Sequence, residues 1–187
     1  MIKNSIYKCH QLLRDVMADA FHTETILFEY PYQDLSRIDQ GLRASVWDNY
    51  DDDASRIRFA DPSAKYRMLT IKSNLGFYNI LALLDGGTQP DFFSVGPFRD
   101  EELSANYFTQ ILHDSRISPV EIQSLKQIYE QMPYAHPDAV TAVVKHVLSV
   151  RYPEFKTVVP ELMQYAEQKR DIDINKELLE AYTVEHA

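Results

Sequence analysis

One cysteine, Cys9, is all the thiol in 187 residues. It excludes an internal disulfide and a thiolate cage for a metal, and it suits a reducing compartment. Positive charge is short as well: 19 Lys and Arg stand against 28 Asp and Glu, a formal net charge of −9. Nucleic-acid binders carry a clustered basic face, whereas the densest charge run here is acidic, Asp51-Asp52-Asp53. The chain alone is therefore not expected to hold DNA. Long apolar runs are missing too. The longest lies near Phe77–Leu84, far short of the roughly 20 residues that a membrane-spanning helix needs. Met1-Ile2-Lys3-Asn4-Ser5 lacks the apolar core of a signal peptide. Together these absences lead to the expectation of a soluble cytoplasmic protein with no membrane partner.

Motifs for catalysis and cofactors are absent in the same way. The six histidines (His10, His22, His113, His136, His146 and His186) include no pair at i,i+4 on a helix. The carboxylates between Asp48 and Asp53 lack the glycine and terminal glutamate of a calcium loop. Asp85-Gly86-Gly87 has too few glycines for a dinucleotide fingerprint, and no phosphate-binding loop motif occurs. Ser94, in Phe92-Phe93-Ser94-Val95-Gly96, lacks the upstream glycine of a nucleophile elbow. A strand serine of this kind is ordinarily a pocket or cross-strand polar group. The sequence calls for no metal and no cofactor, and the expectation is that the chain is not an enzyme.

What is present is core-forming material, with 45% hydrophobic and 12% aromatic residues, enough to exclude disorder. Ile6, Cys9, Leu13, Val16, Met17 and Ala20 recur at helical spacing and predict a helix over 5–21. Cys9 belongs to that stripe, where a buried thiol behaves as a small hydrophobe. Residues 23–30 are β-branched and aromatic and read as a strand stopped by Pro31. Strands are expected over 66–72, 77–84 and 91–96, joined by turns at Ser73-Asn74-Leu75-Gly76 and at 85–90. The middle strand is apolar on both faces apart from Asn79, as a covered central strand should be. The intervening stretch 33–61 is open: Ile38 to Arg43, with Val46-Trp47, fits a short helix or a hairpin.

Everything after Pro97 reads as helical. Asp100 caps a helix bearing Leu103, Tyr107, Phe108, Ile111 and Leu112. Ser118-Pro119-Val120-Glu121 is a capping box with proline at the first helical position. That helix turns Ile122, Leu125, Tyr129 and Met132 inward and ends at Pro133. Another starts at Pro137 with Val140, Val143, Val144, Val147 and Leu148 on its apolar side, and Pro153 ends it. Pro160 is expected to open a further helix through Leu162, Met163 and Ala166. Beyond Arg170, the residues Ile174, Leu178, Leu179 and Tyr182 form a stripe that fits a homodimer contact. The fold class is thus α+β: an antiparallel sheet over about 23–98 with helices over about 100–152, then a helical connector over 153–187.

A half-covered sheet flanked by helices leaves room for a cavity. Arg43, Trp47, Tyr66, Asn79 and Phe93 are the candidate ligand-binding residues, Asn79 because it is the one polar side chain in an apolar strand. Each also has a plainer reading as core or rim. Two alternatives stay open: a small stand-alone α+β enzyme with an acyl or sugar substrate, and an interaction domain with no ligand.

The run Phe92-Phe93-Ser94-Val95-Gly96-Pro97-Phe98-Arg99-Asp100-Glu101, with Ile128-Tyr129-Glu130-Gln131-Met132-Pro133 downstream, resembles the N-terminal sensor regions of AraC-type transcriptional regulators from Gram-positive bacteria. Ile38-Asp39-Gln40-Gly41-Leu42-Arg43 with Trp47 is similar to the same regions. The resemblance implies a PAS/GAF-like sensor and dimerisation domain for a small-molecule effector or a protein partner. It also implies DNA contact only through helix-turn-helix units that are absent from this chain. The helices after Ser118 are joined at prolines and carry no basic recognition helix.

Overall fold

The computed structural model describes residues 2–32, 34–42, 65–73, 76–84, 90–100 and 118–164. Helix α1 (Ile2–Phe21) leads into strand β1 (Thr25–Phe28) and a short 3-10 helix (Leu35–Asp39). Strands β2 (Arg67–Lys72), β3 (Phe77–Leu84) and β4 (Asp91–Arg99) follow, then helices α2 (Pro119–Gln131) and α3 (Pro137–Arg151). A second 3-10 helix (Pro153–Lys156) and strand β5 (Glu161–Gln164) complete the described chain. The architecture is α+β: one five-stranded sheet of order β1-β4-β3-β2-β5, antiparallel except where β5 pairs parallel to β2. Among the described residues, no helix is long and apolar enough to cross a membrane.

The meander β2-β3-β4 forms because turn-prone residues separate three runs of apolar and β-branched side chains. All eight residues of β3 are buried, so protein covers the sheet on both faces. On one face Tyr78, Ile80, Ala82, Phe93 and Val95 pack with Cys9, Leu13 and Met17 of α1, Val140, Val144 and Leu148 of α3, and Phe155. The opposite face gathers Leu69, Ile71, Leu81, Leu83 and Phe92 with Phe28 and with Leu35 and Ile38 of the first 3-10 helix. That 3-10 helix overlaps the stretch open to a helix or a hairpin only at Ile38 and Asp39, while Arg43, Val46 and Trp47 lie outside the described residues; Asp34 caps it by accepting from the Ser36 amide at 3.0 Å.

Strand β4 runs through Gly96-Pro97 rather than stopping there, and a bulge makes this possible. Tyr78 pairs with Phe98 and Ile80 with Val95, so Gly96 and Pro97 together oppose Asn79 alone. Proline donates nothing to a ladder and is tolerated at such a point. The Gly96 amide turns instead to the Glu24 carbonyl at 3.0 Å. At the end of β4, Arg99 donates its amide to Pro133 and accepts from Ala135, both at 2.9 Å, which ties the sheet to the α2–α3 connection.

Two sequence expectations change. Pro160 opens no helix: Glu161–Gln164 is a strand, although Glu, Leu, Met and Gln are good helix formers. The outer edge of β2 offers unpaired amides and carbonyls, and satisfying them outweighs a weak local preference in four residues. The Arg67 guanidinium adds a two-pronged ion pair to Glu161, at 3.0 and 3.2 Å. The start of the segment expected to be a helical connector is therefore a 3-10 turn and an edge strand. In addition, β1 is shorter than 23–30 and ends before Pro31. The helix expected after Asp100, and the stripe Ile174, Leu178, Leu179 and Tyr182, lie outside the described residues.

Candidate functional site

Of the five residues singled out from the sequence, Arg43 and Trp47 lie outside the described residues. The other three do not converge. Phe93 is completely buried on the α1/α3 face, its ring stacked on His10 with centroids 5.9 Å apart. His10 in turn donates from Nε2 to the Thr25 carbonyl at 3.1 Å. Tyr66 packs on the same face against Phe155 and Tyr152. Asn79 points to the opposite face, where its Nδ2 donates to the Ile38 carbonyl at 2.6 Å and clamps the first 3-10 helix to the sheet. Ser94, also buried, has no hydrogen-bond partner for its hydroxyl among the described residues.

A concave site does exist, outside the sheet, between α1 and α3. It encloses about 440 Å³ and is lined by Asn4, Ser5, Lys8, Cys9, Leu12, Val147, Val150 and Arg151, within the 300–1,000 Å³ range typical of small-ligand sites. Helical spacing builds both walls. Ser5, Lys8 or Cys9, and Leu12 recur three or four residues apart along α1, while Val147, Val150 and Arg151 do so on α3. The core stripe Cys9, Leu13 and Met17 pulls α1 onto the sheet beside Val144 and Leu148 of α3. The next row of side chains is thereby left facing a groove. Leu12 and Val150 stand 48% and 76% exposed at its margins.

The groove lining combines apolar side chains (Leu12, Val147, Val150) with two cations, Lys8 and Arg151. The Arg151 Nε donates to Ser5 Oγ at 2.5 Å, joining the two helices and fixing the guanidinium. Among the described residues neither Lys8 nor Arg151 has a carboxylate partner. Arg151 also occupies the last turn of α3, where its charge complements the helix dipole. Cys9 forms part of the lining but is itself only slightly exposed. Burial pushes its thiol above the usual range, and the neighbouring Arg151 charge only partly offsets this.

A thiol with a raised pKa stays protonated near neutral pH and is a poor nucleophile. A guanidinium does not deprotonate, no carboxylate or imidazole lines the groove, and Lys8 is the one amine there. Among the described residues, no three His, Cys, Asp or Glu side chains come together to hold a metal ion. Sequence reasoning missed the groove, but it had a signal to use. Leu12 and Val150 are apolar residues that the helical period places off the core stripes of α1 and α3. Comparison with protein-family models, with curated proteins and with solved structures finds no match to this chain.

Proposed function

We propose that this chain is a cytoplasmic, non-catalytic sensor module, and that its effector sits in the groove between α1 and α3. The observation that carries this is the groove itself: a ligand-sized hollow lined by Leu12, Val147 and Val150 and by two cations, Lys8 and Arg151, that have no carboxylate partner among the described residues. The resemblance of the Val95-Gly96-Pro97-Phe98 region to AraC-type sensor regions supplies the biological setting, a transcriptional regulator whose DNA-reading units lie on other residues. In this reading a ligand acts through its differential affinity for two packings of α1 against α3. Arg151 closes α3 and is followed directly by the second 3-10 helix and β5. A change in the groove wall is thus linked to the edge of the sheet through the ten positions from Arg151 to Glu161. Dimerisation through the stripe at Ile174, Leu178, Leu179 and Tyr182 belongs to the same proposal, and light scattering at tens of micromolar tests it; a monomer there contradicts it.

A thermal-shift screen of small molecules tests the sensor reading, run on the wild-type chain and on the Leu12→Asp/Val150→Asp double variant. Hits that stabilise the wild type and not the variant support it. The absence of any saturable hit, or hits indifferent to the substitutions, contradicts it. Reading the gene past the codon for Ala187 tests the regulator setting. Continuation into two basic helix-turn-helix units supports that setting, and a stop codon directly after Ala187 contradicts it.

A further inference from the structure

Resting on the groove as a binding site, we propose that its ligand class is a small organic monoanion: a carboxylate head on Lys8 and Arg151 with an apolar body along Leu12, Val147 and Val150. Charge carries the argument. In a chain with 28 acidic residues, a cation ordinarily finds a carboxylate, and several here do. Arg67 pairs with Glu161, Arg14 with Asp15 and Lys126 with Glu130. Lys8 and Arg151 line the same hollow without one among the described residues, and none of the lining residues is acidic. Like-charged neighbours in a concave site raise the local concentration of counter-ions of opposite sign.

The geometry narrows the class further. Ser5 takes the Arg151 Nε, which leaves the two terminal guanidinium nitrogens, a fork that matches a carboxylate. Part of the Arg151 charge already answers the carbonyl end of α3, so the site balances one negative charge better than two. A bare small anion leaves the valines and Leu12 unused, because their burial is worth about 25 cal/mol per Å² of apolar surface. A neutral or cationic molecule of the same shape leaves the two charges unanswered. The body must be short, since the whole hollow measures about 440 Å³.

Calorimetric titration of the full chain with a shape-matched series tests this: 4-phenylbutyrate, 4-phenylbutanol, 4-phenylbutylamine and acetate. The acid is expected to bind saturably at one site, about tenfold or more tighter than the alcohol, as one charge-assisted hydrogen bond implies. Acetate and the amine should give no saturable heat. Arg151→Gln and Lys8→Gln should each weaken the acid about tenfold and weaken the alcohol clearly less. Both residues are exposed, so circular dichroism melting should show the fold intact. Equal affinity for acid, alcohol and amine overturns the proposal, as does acid binding indifferent to both substitutions, or no acid binding at all. If the alcohol or amine binds and Leu12→Asp/Val150→Asp abolishes it, the carboxylate assignment falls and the sensor reading stands. If nothing in this series or in the wider screen binds, both fall.

Discussion

At Gly96 the backbone takes φ +132°, and a Cβ placed there meets Asn79 Nδ2 at 2.7 Å and the Tyr78 carbonyl at 2.8 Å. Glycine is the residue that tolerates both the angle and the crowding. Asn79 has little room either, because its amide is committed to Ile38. Gly96→Ala is therefore expected to cost on the order of 3 kcal/mol in urea unfolding, combining backbone strain with overpacking. A loss under about 1 kcal/mol contradicts this account of the bulge. Ser94 gives the opposite expectation. Its buried hydroxyl has no partner among the described residues, so Ser94→Ala should leave stability unchanged or raise it by up to about 1 kcal/mol. A clear loss in the same unfolding assay means that the hydroxyl has a partner after all.

At the scale of elements, local chemistry was legible wherever it decided the outcome. The capping box announced by Ser118-Pro119-Val120-Glu121 is formed in full. Ser118 Oγ accepts from the Glu121 amide at 3.3 Å, and the Glu121 carboxylate accepts from the Ser118 amide at 3.0 Å. The Ser118 hydroxyl, donating to Glu121 Oε2 at 2.7 Å, and then the Ser118 amide hold the Glu121 carboxyl below its ordinary value of 4.5. The box therefore contributes fully above that value and is lost as pH falls through the lowered folded one. Ser118→Ala should cost about 1 kcal/mol at neutral pH. It should also flatten the acid limb of the stability curve below pH 4.5; an acid limb identical to wild type argues against the box. The meander and the buried stripes of α1, α2 and α3 were legible for the same reason: period and turn chemistry are local.

What local pattern could not supply was long-range. Nothing in Glu161–Gln164 marks a strand; an open edge on β2, some 90 residues earlier in the chain, makes it one. Arg67 and Glu161 hold it there, with Glu161 about half exposed. Glu161→Gln is expected to change global stability by less than about 1 kcal/mol, as exposed ion pairs do. Hydrogen exchange of the β5 amides should nevertheless speed up while β3 stays protected. Unchanged exchange in β5 means that the ladder, not the ion pair, holds the strand. The groove was illegible for a related reason. Ser5 and Arg151 meet across 146 positions, and no helical wheel of either helix alone places them together.

Across the whole molecule, the sheet is a filled wall rather than a binding surface. The strands β3 and β4 are buried on both faces, and Asn79 donates to the Ile38 carbonyl beside them. Among the described residues, a ligand-sized hollow lies between α1 and α3, lined by Lys8 and Arg151 together with Leu12, Val147 and Val150. Backbone amide shifts, recorded while 4-phenylbutyrate, 4-phenylbutanol and 4-phenylbutylamine are titrated into the labelled chain, test this placement most directly. We expect shifts confined to Ser5, Lys8, Cys9 and Leu12 of α1 and to Val147, Val150 and Arg151 of α3. Shifts centred on Asn79, Phe93 and Ser94, with the two helices unmoved, contradict the account.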